Sequence, residues 1–406
     1  MSRAFIQLAV AVQLVFGLLV PASGSGTGPW DVSALQQPLR CEVIDTIQVQ
    51  ESGTAVSLSS LYYSGEPWMG KSTRIFAYYA RPAEARSKLP AMVLVHGGGG
   101  QAFPQWARIW AARGYAALAI DLGGRGRDRS PLADGGPDQS DEWKFFRLKE
   151  GVTNAWTYQS VAAVIRGVSA LSAMPEVDPR RIGITGISWG GYLTSIVMSL
   201  DDRLKVAIPV YGCGFLHENS VWLPHFAKLS EDERKIWIEN FEPSKYLSRC
   251  RIPVLWMNGT NDFAYPLDSY QKSYRSVRGP RTLCITVKMP HGHDAGWARQ
   301  EIYLFADTAF GVGNTKRLAV LERPKIDDNI VTLHYRSEVP IQKVQIHWTT
   351  DLDKPWQQRE WQTADGRVVG LTELRATAPP SRPSVYFLTA TDARGAIVST
   401  EHFERR

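Results

Sequence analysis

Between residues 43 and 80 the chain alternates apolar and polar positions in three runs, VIDTIQVQ, AVSLSSLYY and RIFAYYA, which predict antiparallel strands. The texture then changes. AMVLVHG (91–97) and YAALAID (115–121) are continuous apolar runs, as expected of strands buried on both faces. Between them the spacing predicts a helix over Gln105–Arg113. RIGITGIS (181–188), LKVAIPVYG (204–212), PVLWMNG (253–259) and RTLCITVKM (281–289) continue the strand series, and helical spacing recurs over 154–173, 189–200, 267–277 and 298–310. Such alternation predicts an α/β class, a doubly wound and mostly parallel sheet covered by helices on both faces. The stretch 123–144, rich in Gly, Pro and Asp, reads as a long surface loop. Residues 213–250 break the rhythm and are expected to form a cap-like insertion over the strand ends. From 317 onward the helical patterns stop, and short strands separated by turn residues predict a small all-β sandwich, immunoglobulin- or fibronectin-like, over 317–406. The α/β unit is expected to span 30–314.

The N-terminus adds a compartment. Arg3 precedes an apolar run from Ala4 to Val20, and small residues follow in Val20-Pro21-Ala22-Ser23-Gly24. This predicts a secretory signal peptide over 1–24, so a secreted or periplasmic protein with no membrane attachment after cleavage. A hydrophobic content of 44% with 21% charged residues is that of an ordinary globular chain, and its net charge of +6 is spread too evenly to call for nucleic acid. Four cysteines (Cys41, Cys213, Cys250, Cys284) permit disulfides in an exported protein without selecting a pairing, and the absence of CxxC spacing argues against a metal site.

The chemistry starts at GISWGG (186–191), a G-x-S-x-G centred on Ser188 where a strand is expected to turn into a helix. A serine on so sharp a turn stands clear of the sheet, and flanking glycines relieve the crowding. HGGGG (96–100), at the end of an earlier strand, offers backbone N–H groups to a developing oxyanion; the amides of Gly98 and Trp189 are the expected donors. A phosphate-cradling loop would need a GK[ST] that does not follow. The acid is expected after a later strand, at Asp262 in NGTNDFAYP. Asp178 lies at the wrong end of its strand, Asp201 and Asp202 follow a helix, and Asp268 is expected to open the next one. A base belongs after the last strand, where KMPHGHDAGW (288–297) holds both His291 and His293.

HGGGG, GISWGG, GTNDFAYP and PHGHDAGW, in this order, resemble the α/β-hydrolases of the acetyl xylan esterase and cephalosporin-C deacetylase type. More distantly they resemble the catalytic domains of prolyl-oligopeptidase-type peptidases. The resemblance covers roughly residues 50–312 and implies a Ser188–Asp262–His triad needing no metal or organic cofactor. In such esterases the base follows a glycine and precedes an acidic or small residue, which points to His293, with His291 as the alternative base. It also implies a carboxylic ester as substrate, acetyl and carried on a carbohydrate. A peptidase is the competing enzyme, and an inactive binding protein on the same scaffold is the reading from another class. Phe263, Tyr265 and Trp297, with Trp189, either wall a substrate pocket or pack the core. Core packing is the expectation for Trp222, His225 and Trp237 of the insertion, and a structural role for Cys213. Arg125, Arg127 and Arg129 are expected on a solvated or salt-bridged loop, with an anionic substrate group as the other use. The sandwich is expected to brace the α/β unit.

Overall fold

Every residue of Leu89–Val95 is buried, as a strand in the middle of a two-sided sheet requires. A computed structural model describes residues 28–85, 87–380 and 382–405; the expected signal peptide lies outside the described residues. In chain order the α/β part comprises α1 (Val32–Leu35), β1 (Glu42–Glu51), β2 (Thr54–Ser64), β3 (Arg74–Pro82), β4 (Leu89–Val95), α2 (Pro104–Ala112) and β5 (Ala116–Ile120). It continues through α3 (Trp156–Ala173), β6 (Val177–Ile187), α4 (Trp189–Leu200), β7 (Leu204–Val210), α5 (Leu223–Lys228), α6 (Glu231–Phe241), β8 (Val254–Gly259), α7 (Leu267–Ser276), β9 (Arg281–Thr286), α8 (His293–Trp297) and α9 (Gln300–Phe310).

Among the described residues the nine strands form one sheet in the order β1-β2-β3-β5-β4-β6-β7-β8-β9. β1, β2, β3 and β5 pair antiparallel, whereas β5-β4-β6-β7-β8-β9 is parallel throughout. The parallel strands therefore deliver β4, β6, β8 and β9 to one edge of the sheet with their C-terminal ends side by side, where ligands bind in open α/β sheets. On one face Trp110 of α2 packs on Tyr303 of α9, ring centroids 4.8 Å apart. On the other face α1 is tied to α3 by the Ser169 hydroxyl, which donates to Leu35 O.

The long loop after β5 ends in a π-helical turn, Glu142–Phe146, and the insertion at 213–250 carries α5 and α6. A capping box between Ser230 and Glu233 starts α6. Trp237 of α6 is fully buried and donates through its indole N–H to Lys144 O, so the insertion and the loop form one aromatic layer. The C-terminal region forms two antiparallel sheets. One is centred on Ile330–Arg336 and Glu373–Thr377, the other on Ile341–Thr349 and Ser384–Asp392, with Val331, Leu333, Val344, Ile346 and Leu388 buried in a common core.

All four cysteines are unpaired, and Cys213, Cys250 and Cys284 are buried as small apolar side chains. No helix among the described residues is long and apolar enough to cross a membrane.

Candidate active site

Ser188 follows the last residue of β6 and caps α4, with φ 58° and ψ −119°. For a non-glycine residue that conformation costs on the order of 1–3 kcal/mol. Its neighbours show what holds it there. A Cβ at Gly190 would lie 1.9 Å from Val95 O, and one at Gly186 2.1 Å from Gly190 O. Only glycines let α4 start this close to β4 and β6. The Ser188 N–H is used inside the sheet, donating to Val210 O at 2.9 Å, so its hydroxyl alone faces outward.

Opposite it stands His291. The Ser188 hydroxyl donates to His291 Nε2 at 2.9 Å, and His291 Nδ1–H donates to Asp262 Oδ2 at 2.6 Å. The carboxylate can only accept, which places the imidazole proton on Nδ1 and the lone pair on Nε2 toward the serine. Asp262 has a fully buried side chain in the loop after β8, and its other oxygen accepts from the N–H groups of Ala264 (2.9 Å) and Tyr265 (2.8 Å). The His291 ring stacks on Tyr211 (4.4 Å) and meets the tilted Phe263 ring (4.7 Å), and the Tyr211 hydroxyl donates to Pro290 O at 2.6 Å. That last bond pins the chain one residue before the imidazole.

The expectation that His293 is the base is thus corrected: the geometry puts His291 in that place. His293 opens α8 and makes no hydrogen bond to Ser188 or Asp262 among the described residues; its Nε2 accepts the Gly97 N–H at 2.9 Å. Both rings reach the site because Gly292 between them is extended, φ 175° and ψ 164°, which leaves residues i and i+2 on one side of the chain. Any residue adopts that φ, and a Cβ at Gly292 would meet nothing, so glycine is not needed there to aim either histidine.

The loop after β4 is held from several directions. His96 is fully buried, and burial pushes its pKa down to about 3, so it stays neutral. Its Nε2 accepts from Leu122 N–H at 2.9 Å, and its Nδ1–H therefore donates to Gly97 O at 2.8 Å. Gly97 N–H goes to His293, Gly99 N–H to Gln139 Oε1 at 3.0 Å, and Gly100 N–H to Gly97 O at 3.1 Å. Of the four glycine amides 97–100, only that of Gly98 has no acceptor among the described residues, and neither has the Trp189 amide at the start of α4. These are the two donors expected for an oxyanion, and Gly98 lies against the Trp189 ring, 3.0 Å from a Cβ built on it to Trp189 Cδ1.

Around Ser188 the walls are aromatic. Trp189 packs on Trp222 at 4.4 Å, and Trp222 on Tyr265 at 5.1 Å. Tyr265 is fully buried, with its hydroxyl lacking a well-aligned hydrogen-bond partner. Phe263 is 56% exposed and marks the mouth. Of the two roles open to Trp297, the contacts favour packing: it is buried under His293 against Phe103 (5.1 Å) and Trp106 (5.4 Å). Trp237 packs against Phe145, and His225 bonds Asp141. Arg127 pairs with Asp45 of β1, and Arg125 donates to Arg129 O within the loop, so those guanidinium groups anchor the loop. Asp268 lies in the first turn of α7 and accepts from Asn219. Gln139, His96 and Tyr211 were not singled out by sequence reasoning: each acts through a neighbour tens of residues away, or through a strand-end contact with no local signature.

The fold is shared with two solved acetyl xylan esterases. The one from a Paenibacillus species is 23% identical at a TM-score of 0.58, covering 68% of this chain and 92% of its own. The one from a Thermoanaerobacterium species is 19% identical at 0.56, covering 70% and 96%. Among curated proteins, the chain is 25% identical over 230 residues to the uncharacterized peptidase YuxL of Bacillus subtilis, a match that spans 52% of this chain and only 32% of that protein. Residues 35–224, which carry the glycine loop and Ser188, match the sequence model of the acetyl xylan esterases, a family of carboxylic ester hydrolases.

Proposed function

We infer that the protein is a serine esterase that removes short acyl groups, acetyl above all, from an alcohol carried on a carbohydrate. The observation that carries this is the continuous line from Ser188 Oγ through His291 to Asp262 at 2.9 and 2.6 Å. His291 Nε2 takes the hydroxyl proton as Ser188 Oγ attacks the ester carbonyl, and Asp262 stabilises the imidazolium that forms. The free amides of Gly98 and Trp189 receive the negative charge on the carbonyl oxygen; one such donor is worth about 3 kcal/mol in the transition state. His291 returns its proton to the departing alcohol. Water, deprotonated by the same nitrogen, then releases the carboxylic acid and restores the Ser188 hydroxyl.

The close aromatic wall of Trp189, Trp222 and Tyr265 favours a small acyl group, and the exposed Phe263 ring beside His291 offers a sugar a stacking surface. The family match over 35–224 supports the same substrate class. Export, through the N-terminal apolar run, completes the reading.

The test is labelling with a fluorophosphonate, followed by hydrolysis of p-nitrophenyl acetate, p-nitrophenyl hexanoate and an aminoacyl p-nitroanilide. Labelling that Ser188→Ala abolishes, with acetate as the best substrate, is expected. Absence of both adduct and turnover overturns the reading, and a preference for the anilide replaces it with a peptidase.

A further inference from the structure

The geometry points to His293 as a positioning residue that holds the oxyanion loop so that the Gly98 amide faces the carbonyl above Ser188. The two histidines of HGH would then divide the work, one moving protons and the other setting backbone. This rests on the esterase reading above.

The contact is direct. Gly97 N–H donates to His293 Nε2 at 2.9 Å, fixing the His96–Gly97 peptide, the one next to the peptide that carries the Gly98 N–H. Gly97 is wedged against the nucleophile: a Cβ there would lie 2.6 Å from Ile187 O and 2.9 Å from Ser188 Cβ. At the far end of the loop a Cβ on Gly100 would lie 2.7 Å from His293 Nε2 and 2.8 Å from His96 Nδ1. Two imidazoles therefore close on the loop together, and glycine is what lets them do so. With Gly97 N–H tied to His293 and Gly99 N–H to Gln139, the peptides on both sides of Gly97–Gly98 are anchored, and the Gly98 N–H between them is left unpaired.

His293 is itself held. Its ring packs on Phe103 at 4.8 Å and lies 6.3 Å from Trp297 in the same short helix. Burial, and then the neighbouring His291, lowers its pKa, while Asp294 opposes the shift. The neutral ring thus keeps the Nε2 lone pair that Gly97 needs. A protonated ring would present a donor to a donor and release the loop.

Deleting the acceptor loosens one oxyanion donor without removing it. Loss of a whole donor costs a factor of about 100 to 1,000 in kcat, so His293→Ala should lose about 10- to 100-fold, with KM changed less than about twofold. His293→Gln keeps an acceptor oxygen on a side chain of similar reach, and should recover most of that loss. Affinity for an aryl trifluoromethyl ketone, whose adduct carries the oxyanion, should fall in parallel with kcat/KM. In the wild-type protein ¹⁵N spectroscopy should find His293 Nε2 unprotonated and coupled to the Gly97 amide.

A His293→Ala kcat within twofold of wild type overturns the proposal. So do equal losses in the Ala and Gln variants, unchanged ketone affinity, or a protonated Nε2 in the wild-type spectrum. If His293→Ala does not fold, the Gln variant and that spectrum decide. A wild-type protein that neither labels nor turns over esters removes the esterase reading, whereas the spectrum still reports whether His293 holds Gly97.

Discussion

Asp262→Asn is the most informative single change, because the two oxygens of this carboxylate have different duties. Oδ1 accepts two backbone N–H groups, from Ala264 and Tyr265, and Oδ2 accepts the proton of His291 Nδ1. An asparagine keeps its carbonyl toward the two amides, since turning its NH₂ there would set it against both backbone donors. The NH₂ then faces His291 Nδ1, which has to become an acceptor. The imidazole proton moves to Nε2 and points at Ser188, where it can no longer take the hydroxyl proton. In a triad, locking the wrong tautomer costs about 10⁴ in kcat, or about 5.5 kcal/mol of transition-state stabilisation. The loop should survive, because both backbone amides keep their acceptor. Asp262→Ala removes that acceptor as well, leaving two buried N–H groups unpaired at about 1–3 kcal/mol each. The two variants should therefore be comparably inactive toward p-nitrophenyl acetate but differ clearly in Tm, with the Asn form near wild type. Imidazole ¹⁵N shifts should show the His291 proton moved from Nδ1 to Nε2. An Asn variant that keeps more than a tenth of wild-type kcat, or retains the wild-type tautomer, would refute the assignment of His291 and Asp262.

Three further outcomes are expected. Trp222→Ala opens the wall formed with Trp189 and Tyr265, and should raise the hexanoate-to-acetate ratio of kcat/KM by about tenfold; an unchanged ratio means the acyl group binds elsewhere. Asn261→Ala removes the side chain that donates to Gln357 O (3.2 Å) and Arg359 O (2.7 Å), and should lower kcat by about 5- to 20-fold through the neighbouring Asp262, with KM nearly constant. Wild-type kcat in that variant would show that the acid loop needs no anchor. Stability should fall below neutral pH. Burial pushes His96, His347 and His402 down to about 3, about 4 and about 3, so their stabilisation is complete above the ordinary value of 6.5 and is lost as pH falls toward those values. At pH 5 each has given up about 2 kcal/mol. Asp121, pushed up to about 6 by burial, works in the opposite sense and gains stability as pH falls through that value. It returns about 1 kcal/mol, so urea midpoints should indicate a net loss of about 5 kcal/mol between pH 7.5 and 5. Constant or rising stability over that range refutes the sum.

What could be read from the sequence was whatever the chain writes locally. A strand running into G-x-S-x-G and then a helix marks Ser188 within six residues, and continuous apolar runs mark the parallel strands. Asp262 and the glycine loop were legible for the same reason, each lying just past a strand's end. The choice between His291 and His293 was not written locally. Both side chains reach the same side of the backbone, and selection comes from Tyr211 pinning Pro290 and from the position of β8 beside β9. Trp297 stayed between two roles because an aromatic beside a motif looks alike whether it lines a pocket or lies beneath one. Gln139 was hidden by distance: it meets Gly99 across 40 residues, and no periodicity reports such a contact.

Distance along the chain also hides what the C-terminal sheets do for the site. Lys288 N–H donates to Thr260 Oγ1 at 3.0 Å, and that hydroxyl donates to Asn261 Oδ1 at 2.7 Å, so the loops that carry the base and the acid are joined to each other. Asn261 then reaches out to the carbonyls of Gln357 and Arg359, and Lys288 pairs with Glu360. The receiving segment is not a loose tether. The Arg359 guanidinium lies 3.8 Å from the Trp356 ring centroid and donates to the carbonyls of Leu352 and Lys354. Elsewhere the seam is closed by the Ser399 hydroxyl accepting from Ile285 N–H, and by Glu301 accepting from Ile397 N–H. Ser188 and the glycine loop are built from the core of the sheet and need no such help. Asp262 and His291 sit on loops after its last two strands, toward the sheet's edge, where fewer neighbours restrain them. A β-sandwich docked against that edge supplies the missing restraint. Of the roles open to it, bracing the acid and base loops is the one these contacts favour.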